Sequence, residues 1–114
     1  MSRERRRALV SAFRERKARP GIFAIRCAVT GEVWVQSAAN LDTRQAGIWF
    51  ALRQGSHPNL AMQASWTAHG EAAFAFEALE AVEAADLSPG ALADRLKTLE
   101  ARWRSALAAG RVAG

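Results

Sequence analysis

Two runs of β-forming residues around a short turn constrain the fold of this chain more than any other feature. The runs span residues 22–28 and 33–36, and Thr30 and Gly31 lie between them. β-Branched and aromatic residues on both sides of a glycine-containing turn are typical of a β-hairpin. Since an isolated hairpin is only marginally stable in water, the rest of the chain must cover it.

Two helices are predicted directly after the hairpin. The first spans about 41–54, with Asn40 or Asp42 as its N-cap and Gly55 as its C-terminal stop. The second spans about 60–69 and follows a turn cluster. The apolar face of the first helix consists of Leu41, Ile48 and Leu52, with Trp49 beside it. This spacing predicts that the helix packs on the sheet.

The second half of the chain supplies a further strand and a long helix. Residues 74–79 alternate as a strand does, whereas 80–87 are equally consistent with a helix or a loop. Ser88 followed by Pro89 is a helix start signal, because serine caps and proline fits the first helical position. The apolar stripe of this last helix consists of Leu92, Leu96, Leu99, Trp103 and Leu107.

The order of elements predicts an α+β domain, a three-stranded antiparallel sheet flanked by helices, with an added basic N-terminal helix over 2–18. The whole chain has 114 residues, which suits one domain. We expect an arm at 1–19, the domain at 20–109 and a frayed tail at 110–114.

Positive charge is concentrated in the N-terminal arm. Residues 1–19 carry eight basic and two acidic side chains, although the net charge of the chain is only +5. The basic residues of the arm are Arg3, Arg5, Arg6, Arg7, Arg14, Arg16, Lys17 and Arg19. Such an arm favours contact with the phosphate backbone of nucleic acid, and its alternative is a solvated helix.

The sequence lacks common catalytic signatures and any stretch long enough to span a membrane. It contains no CxxC pair, HExxH or phosphate-binding glycine loop. Cys27 is the single cysteine, so no disulfide forms within the chain, and we expect it to be a small buried hydrophobe. No apolar segment follows the basic N-terminus, which argues against a secretory signal and favours the cytoplasm.

Several short motifs together resemble the GIY-YIG nuclease family. Gly21-Ile22-Phe23 begins the hairpin, Val33-Trp34-Val35-Gln36-Ser37 ends it, and Arg44 lies in the next helix. The similarity continues through Gly55-Ser56-His57, Trp66-x-x-His69-Gly70, Phe74-x-Phe76-Glu77 and Glu100-x-x-Trp103. It covers about residues 20–104, and it rests on the order and spacing of the motifs.

The resemblance implies a metal-dependent phosphodiesterase site. In this family a glutamate on the last helix holds a divalent metal, usually Mg²⁺, and Glu100 occupies that position. The helix arginine that supports the phosphate corresponds to Arg44, which is also a candidate nucleic-acid contact. His57 corresponds to a histidine that some members carry between the helices. The alternatives are an i, i+4 pair of Glu100 with Arg104, a solvated Arg44, and a turn residue at His57.

The chain departs from the family at the two signature tyrosines. Phe23 and Trp34 occupy those positions, Gln36 replaces the second glycine, and the chain contains no tyrosine. The resemblance implies that a hairpin tyrosine acts as general base for the attacking water. Neither a phenyl ring nor an indole N–H accepts a proton from water, so that base is missing here. Trp34 is expected in the core, with stacking on an unpaired base as its alternative.

Three functions therefore remain open. The first is a GIY-YIG-like domain that binds nucleic acid, DNA in particular, with weak or lost cleavage. The second is an active Mg²⁺-dependent DNA endonuclease with an altered general base. The third is a protein- or ligand-binding domain that does not bind nucleic acid and whose N-terminal helix forms a homo-oligomer contact.

Overall fold

The computed structural model of the protein describes residues 19–108. The predicted N-terminal helix at 2–18 and the tail at 110–114 lie outside this range, so the predicted domain boundaries stay predictions. The elements in chain order are β1 (Gly21–Cys27), β2 (Val33–Ala38), α1 (Leu41–Gln54), α2 (Leu60–His69), β3 (Phe74–Ala81) and α3 (Pro89–Leu107). A short 3₁₀ turn at Glu71–Ala73 precedes β3.

The three strands form one antiparallel sheet, which confirms the predicted fold class. The strand order is β2-β1-β3, so β1 is central and β2 has an open outer edge. Ile25 of β1 is paired with Trp34 of β2 and with Phe76 of β3. β3 ends at Ala81, so the ambiguous segment 80–87 is the end of a strand followed by a loop, and contains no helix.

Gly21 is required at the start of β1 because no other residue fits there. A Cβ atom at this position would lie 2.2 Å from the carbonyl oxygen of Glu80 and 2.7 Å from Cδ1 of Leu41. Glycine in a strand often marks such a close approach of another backbone. The first residue of the GIF motif therefore has a packing role between β3 and α1.

The helices begin and end where their capping residues predict. The side chain of Asn40 accepts from the N–H of Asp42, so Asn40 is the N-cap of α1, and Gly55 ends that helix at φ +75°. Ser88 caps α3 through the N–H of Ala91. These side-chain bonds satisfy backbone groups that a helix leaves unpaired at its ends.

The sheet separates two apolar cores. Helices α1 and α2 cover one face, and the aromatic cluster between them contains Phe23, Trp34, Trp49, Trp66 and Phe74. Helix α3 covers the other face with the predicted stripe, of which Leu99 is buried and Leu92, Leu96, Trp103 and Leu107 are partly buried. Successive side chains of a strand point to opposite faces of the sheet, so the neighbouring residues Phe23 and Ala24 lie in different cores.

Candidate functional site

The two positions that carry tyrosine in the family lie inside the core between the sheet and helices α1 and α2. Phe23 is 0% exposed and its ring stacks on Phe76, with centroids 4.9 Å apart. Trp34 is 5% exposed and its ring lies parallel to that of Phe74 at 6.1 Å. Both rings are used for packing, as expected for Trp34, and neither side chain has an atom that accepts a proton.

Glu100 is a buried carboxylate with a backbone partner. Its Oε2 accepts a hydrogen bond of 2.9 Å from the N–H of Ser37. Because β2 pairs only with β1, this N–H belongs to the outer edge of the sheet. The guanidinium of Arg104, one turn further along α3, places an Nη atom 3.8 Å from Oε1 of Glu100. The i, i+4 pair expected as an alternative is therefore present.

An open groove of about 440 Å³ lies between the outer edge of β2 and α3. Gln36, Ser37, Lys97, Glu100 and Arg104 contribute its polar lining. Arg44 and His57 are not among the residues that line it. The structure therefore brings Glu100 to a solvent-filled groove without bringing the other two predicted site residues into the same groove.

His57 is buried in the turn before α2. Its ring Nδ1 accepts a hydrogen bond of 3.0 Å from the backbone N–H of Asn59. The backbone N–H of His57 donates to Oε1 of Gln63 at 3.1 Å. Burial lowers the pKa of this imidazole below its usual value, and the positive charge of Arg44 lowers that pKa further. His57 and Arg44 are thus electrostatic neighbours, and the side chain and backbone of His57 both contribute hydrogen bonds to the turn.

Arg19 is the one residue of the basic arm within the described range. Its guanidinium lies 2.8 Å from a carboxylate oxygen of Asp42, and its backbone N–H donates to the side chain of Asn40. Arg19 therefore lies beside the first turn of α1. The other seven basic residues of the arm lie outside the described residues.

The donor set around Glu100 fits a magnesium ion poorly. Within residues 19–108, no group of three or more His, Cys, Asp or Glu side chains lies close enough to hold a metal. One oxygen of Glu100 is occupied by an N–H, and a guanidinium lies beside the other. Magnesium binds carboxylate oxygens together with water and phosphate oxygens. The two contacts of Glu100 leave neither of its oxygens free for such a bond.

Two solved structures resemble this fold closely. The catalytic domain of the homing endonuclease I-TevI superposes with a TM-score of 0.67 at 22% identity, over 83% of this chain and 99% of that chain. A point mutant of the catalytic domain of the intron endonuclease I-TevI gives a TM-score of 0.65 at 24% identity, over 78% and 84% of the two chains. I-TevI is a GIY-YIG nuclease.

This chain has a GIY-YIG-like fold. The fold predicted from the motif order is thereby confirmed. No model of a known protein family matches the chain, and no curated protein matches it either. None of the helices within residues 19–108 is long and apolar enough to cross a membrane.

The sequence predicted the pair of Glu100 with Arg104 but not the backbone partner of Glu100. The partner at Ser37 is a backbone N–H, which no side-chain motif reveals. Lys97 and Arg104 line the same groove, and the seven-residue interval between them could have predicted that they lie on the same face of the helix. Residues seven apart lie on one face of a helix, two turns from each other.

Proposed function

We propose that this protein is a nuclease-derived domain that binds nucleic acid, DNA in particular, and has weak or lost phosphodiesterase activity. The burial of Phe23 and Trp34 carries the proposal, since both tyrosine positions are filled by rings packed in the core. The GIY-YIG-like fold and the basic arm support the nucleic-acid partner. We place the protein in the cytoplasm because its one cysteine is buried and unpaired.

The missing general base has a calculable consequence. Proton transfer by a positioned base contributes about 10²–10⁴-fold to a rate, which is about 3–5 kcal/mol of barrier. No side chain at positions 23 or 34 accepts a proton. Arg104 moreover neutralises part of the charge on Glu100. Cleavage should therefore be slow even where nucleic acid is bound.

One observation favours the second candidate, a metal-dependent endonuclease with an altered base. Glu100 lines a groove that is open to solvent, so a carboxylate stands where a substrate and a metal would have access. This candidate requires Arg104 to move away from Oε1 of Glu100 when the metal binds. It predicts cleavage that depends on Glu100.

The deciding experiment incubates the full chain with single- and double-stranded DNA in Mg²⁺ or Mn²⁺. Glu100→Gln is the matched control, because the amide oxygen keeps an acceptor for Ser37 and only the charge is removed. We expect the natural chain and Glu100→Gln to show the same background level of DNA cleavage. Cleavage by the natural chain that disappears in Glu100→Gln would establish the endonuclease instead.

Binding is tested by the salt dependence of DNA affinity. Each neutralised phosphate contributes about −0.9 to the log–log slope for duplex DNA. We expect a negative slope that is mostly lost when residues 1–18 are deleted. A slope near zero for the full chain would contradict the proposal and favour the protein- or ligand-binding domain. A change of oligomeric state on the same deletion would identify the arm as a dimer contact.

A further inference from the structure

Opposite charges are concentrated in two separate segments of the chain. Residues 1–19 carry eight basic and two acidic side chains. Residues 54–94 carry six acidic side chains and no lysine or arginine. The six acidic residues are Glu71, Glu77, Glu80, Glu83, Asp86 and Asp94. Because the second segment has no cations of its own, it presents its negative charge to cations from elsewhere in the chain.

Four of these acidic residues lie along one edge of the sheet. β3 pairs only with β1, so its outer edge has no strand partner in the part of the chain that the structure describes. Glu77 and Glu80 belong to β3 and are exposed. Glu83 and Asp86 belong to the loop that follows β3 and are exposed as well. The outer edge of β3 and the loop at 82–88 together form the acidic edge.

Most of the negative charge of the acidic edge is not neutralised by the domain. Among the described residues, Arg26 forms an ion pair of 3.0 Å with Glu77. Glu80 accepts a hydrogen bond of 2.9 Å from the neutral indole N–H of Trp103 and so keeps its charge. The two carboxylates of the loop form no ion pair with any of residues 19–108. A basic segment that reaches this edge therefore meets three carboxylates without a cationic partner.

The basic arm joins the domain at one end of the acidic edge. The N–H of Val82 donates to the carbonyl oxygen of Pro20 at 2.8 Å, directly beyond the paired residues Gly21 and Ala81. Glu83 follows Val82 in the chain. The arm therefore enters the sheet beside the acidic loop, whereas the hairpin turn lies at the opposite end of the sheet.

The arm and the acidic edge also match in length and in apolar content. As the predicted helix, residues 2–18 would extend about 25 Å. The eight residues of β3 extend about 25 Å as well. Leu9 and Phe13 are four positions apart and would lie on one face of that helix. On the domain, Phe76 and Leu79 of β3 are only partly buried and are available to such a face.

We propose that the acidic edge binds the N-terminal arm of the same chain, and that nucleic acid competes with this edge for the arm. The same arginine and lysine side chains contact carboxylates in one state and phosphates in the other. The protein then covers its own basic surface until a polyanion displaces the carboxylates. The competition rests on the proposed function, whereas the docking of the arm does not.

The docking is tested in the full chain with a nitroxide spin label attached at Ser11→Cys, in the middle of the arm. Cys27 is 1% exposed, so the label reacts at position 11. At low salt we expect NMR line broadening of the amides of residues 74–87, relative to the chemically reduced label. The amides of β2, at the other edge of the sheet, are the internal control and should keep their intensity. Broadening should vanish at 1 M salt, where the Debye length is about 3 Å.

No broadening, or equal broadening of β2 and β3, would overturn the docking. A mixture of spin-labelled chain with isotope-labelled natural chain identifies whose arm is bound. Broadening in that mixture would show that the arm docks on a second copy, and would overturn the assignment to the same chain.

The competition is tested by the affinity of the full chain for a short fluorescent DNA duplex at low salt. Glu83→Gln removes one carboxylate from the acidic edge, so we expect DNA to bind about threefold more tightly, the scale of one exposed ion pair. Asp94→Asn is the matched control, because it changes the net charge equally and lies on the face of α3 opposite the apolar stripe. It should change the affinity by less than about twofold.

The outcomes separate this inference from the proposed function. If DNA binds but the label at position 11 broadens nothing, the proposed function stands and the docking is wrong. If the arm docks but the chain has no affinity for DNA or RNA, the proposed function is wrong and the docking surface stands. Equal effects of Glu83→Gln and Asp94→Asn on DNA affinity would show that net charge alone matters, and would overturn the competition.

Discussion

The two faces of the sheet differ in how they hold the residues predicted as site positions. Towards α1 and α2, Phe23 and Trp34 are buried in an aromatic core. Towards α3, Glu100 remains polar and borders an open groove, but its oxygens face a backbone N–H and an arginine. On the first face these positions are occupied by packed rings, whereas on the second face the charged groups have partners within the protein.

The largest effect should come from the packed face. Phe23→Ala removes a fully buried ring that stacks on Phe76, so we expect it to lower the free energy of unfolding by about 3–5 kcal/mol. Phe50→Ala is the matched control, since Phe50 is 63% exposed and should change stability by less than about 0.5 kcal/mol. Urea denaturation measures both. Equal costs for the two variants would show that Phe23 is not in the core.

Glu100 should show a smaller effect that depends on what replaces it. Glu100→Ala leaves the N–H of Ser37 without its acceptor, which should cost about 1–3 kcal/mol of unfolding free energy. Glu100→Gln keeps an acceptor oxygen and should retain most of the stability. Chemical denaturation of the two variants at pH 7 distinguishes them. If the glutamine variant is as unstable as the alanine variant, the charge and not the hydrogen bond is what stabilises this face.

The smallest effect should be a pH dependence at His57. Its pKa in the folded protein is lowered by burial and by Arg44 from the ordinary value of 6.5. Above pH 6.5 both folded and unfolded states are neutral at this residue. As the pH falls through 6.5, the unfolded state takes up the proton first, so the unfolding free energy should decrease.

His57→Gln should remove that component of the pH dependence between pH 7 and pH 5. His69→Gln is the control, because His69 is exposed at the end of α2. Thermal denaturation across this range gives the comparison. A stability that rises towards acid pH in the natural chain, and not in His57→Gln, would show that the folded state stabilises the imidazolium.

The fold followed from local signals because those signals agree with the tertiary contacts. Asn40 and Ser88 begin helices and Gly55 ends one through bonds to near neighbours in sequence, so residue type alone predicts these boundaries. The stripe on α3 is buried as its spacing requires. The end of β3 at Ala81 was not predictable, because pairing with Gly21 across the sheet overrides the helix propensity of alanine there.

The site was only partly predictable. Glu100 could be placed on the shoulder of the α3 stripe, but its contact with Ser37 joins residues 63 positions apart. His57 could be recognised as a turn residue, whereas its proximity to Arg44 depends on how α1 packs. Periodicity describes which face of an element a residue occupies, and it says nothing about which elements meet there.

The hydrogen bond between Ser37 and Glu100 also protects the protein from association with other strands. The outer edge of a sheet presents unpaired N–H groups on which another chain can assemble as an additional strand. Glu100 occupies one of these N–H groups and places a negative charge against it. Replacing Glu100 by an apolar residue would leave this N–H open to pairing with a strand of another molecule.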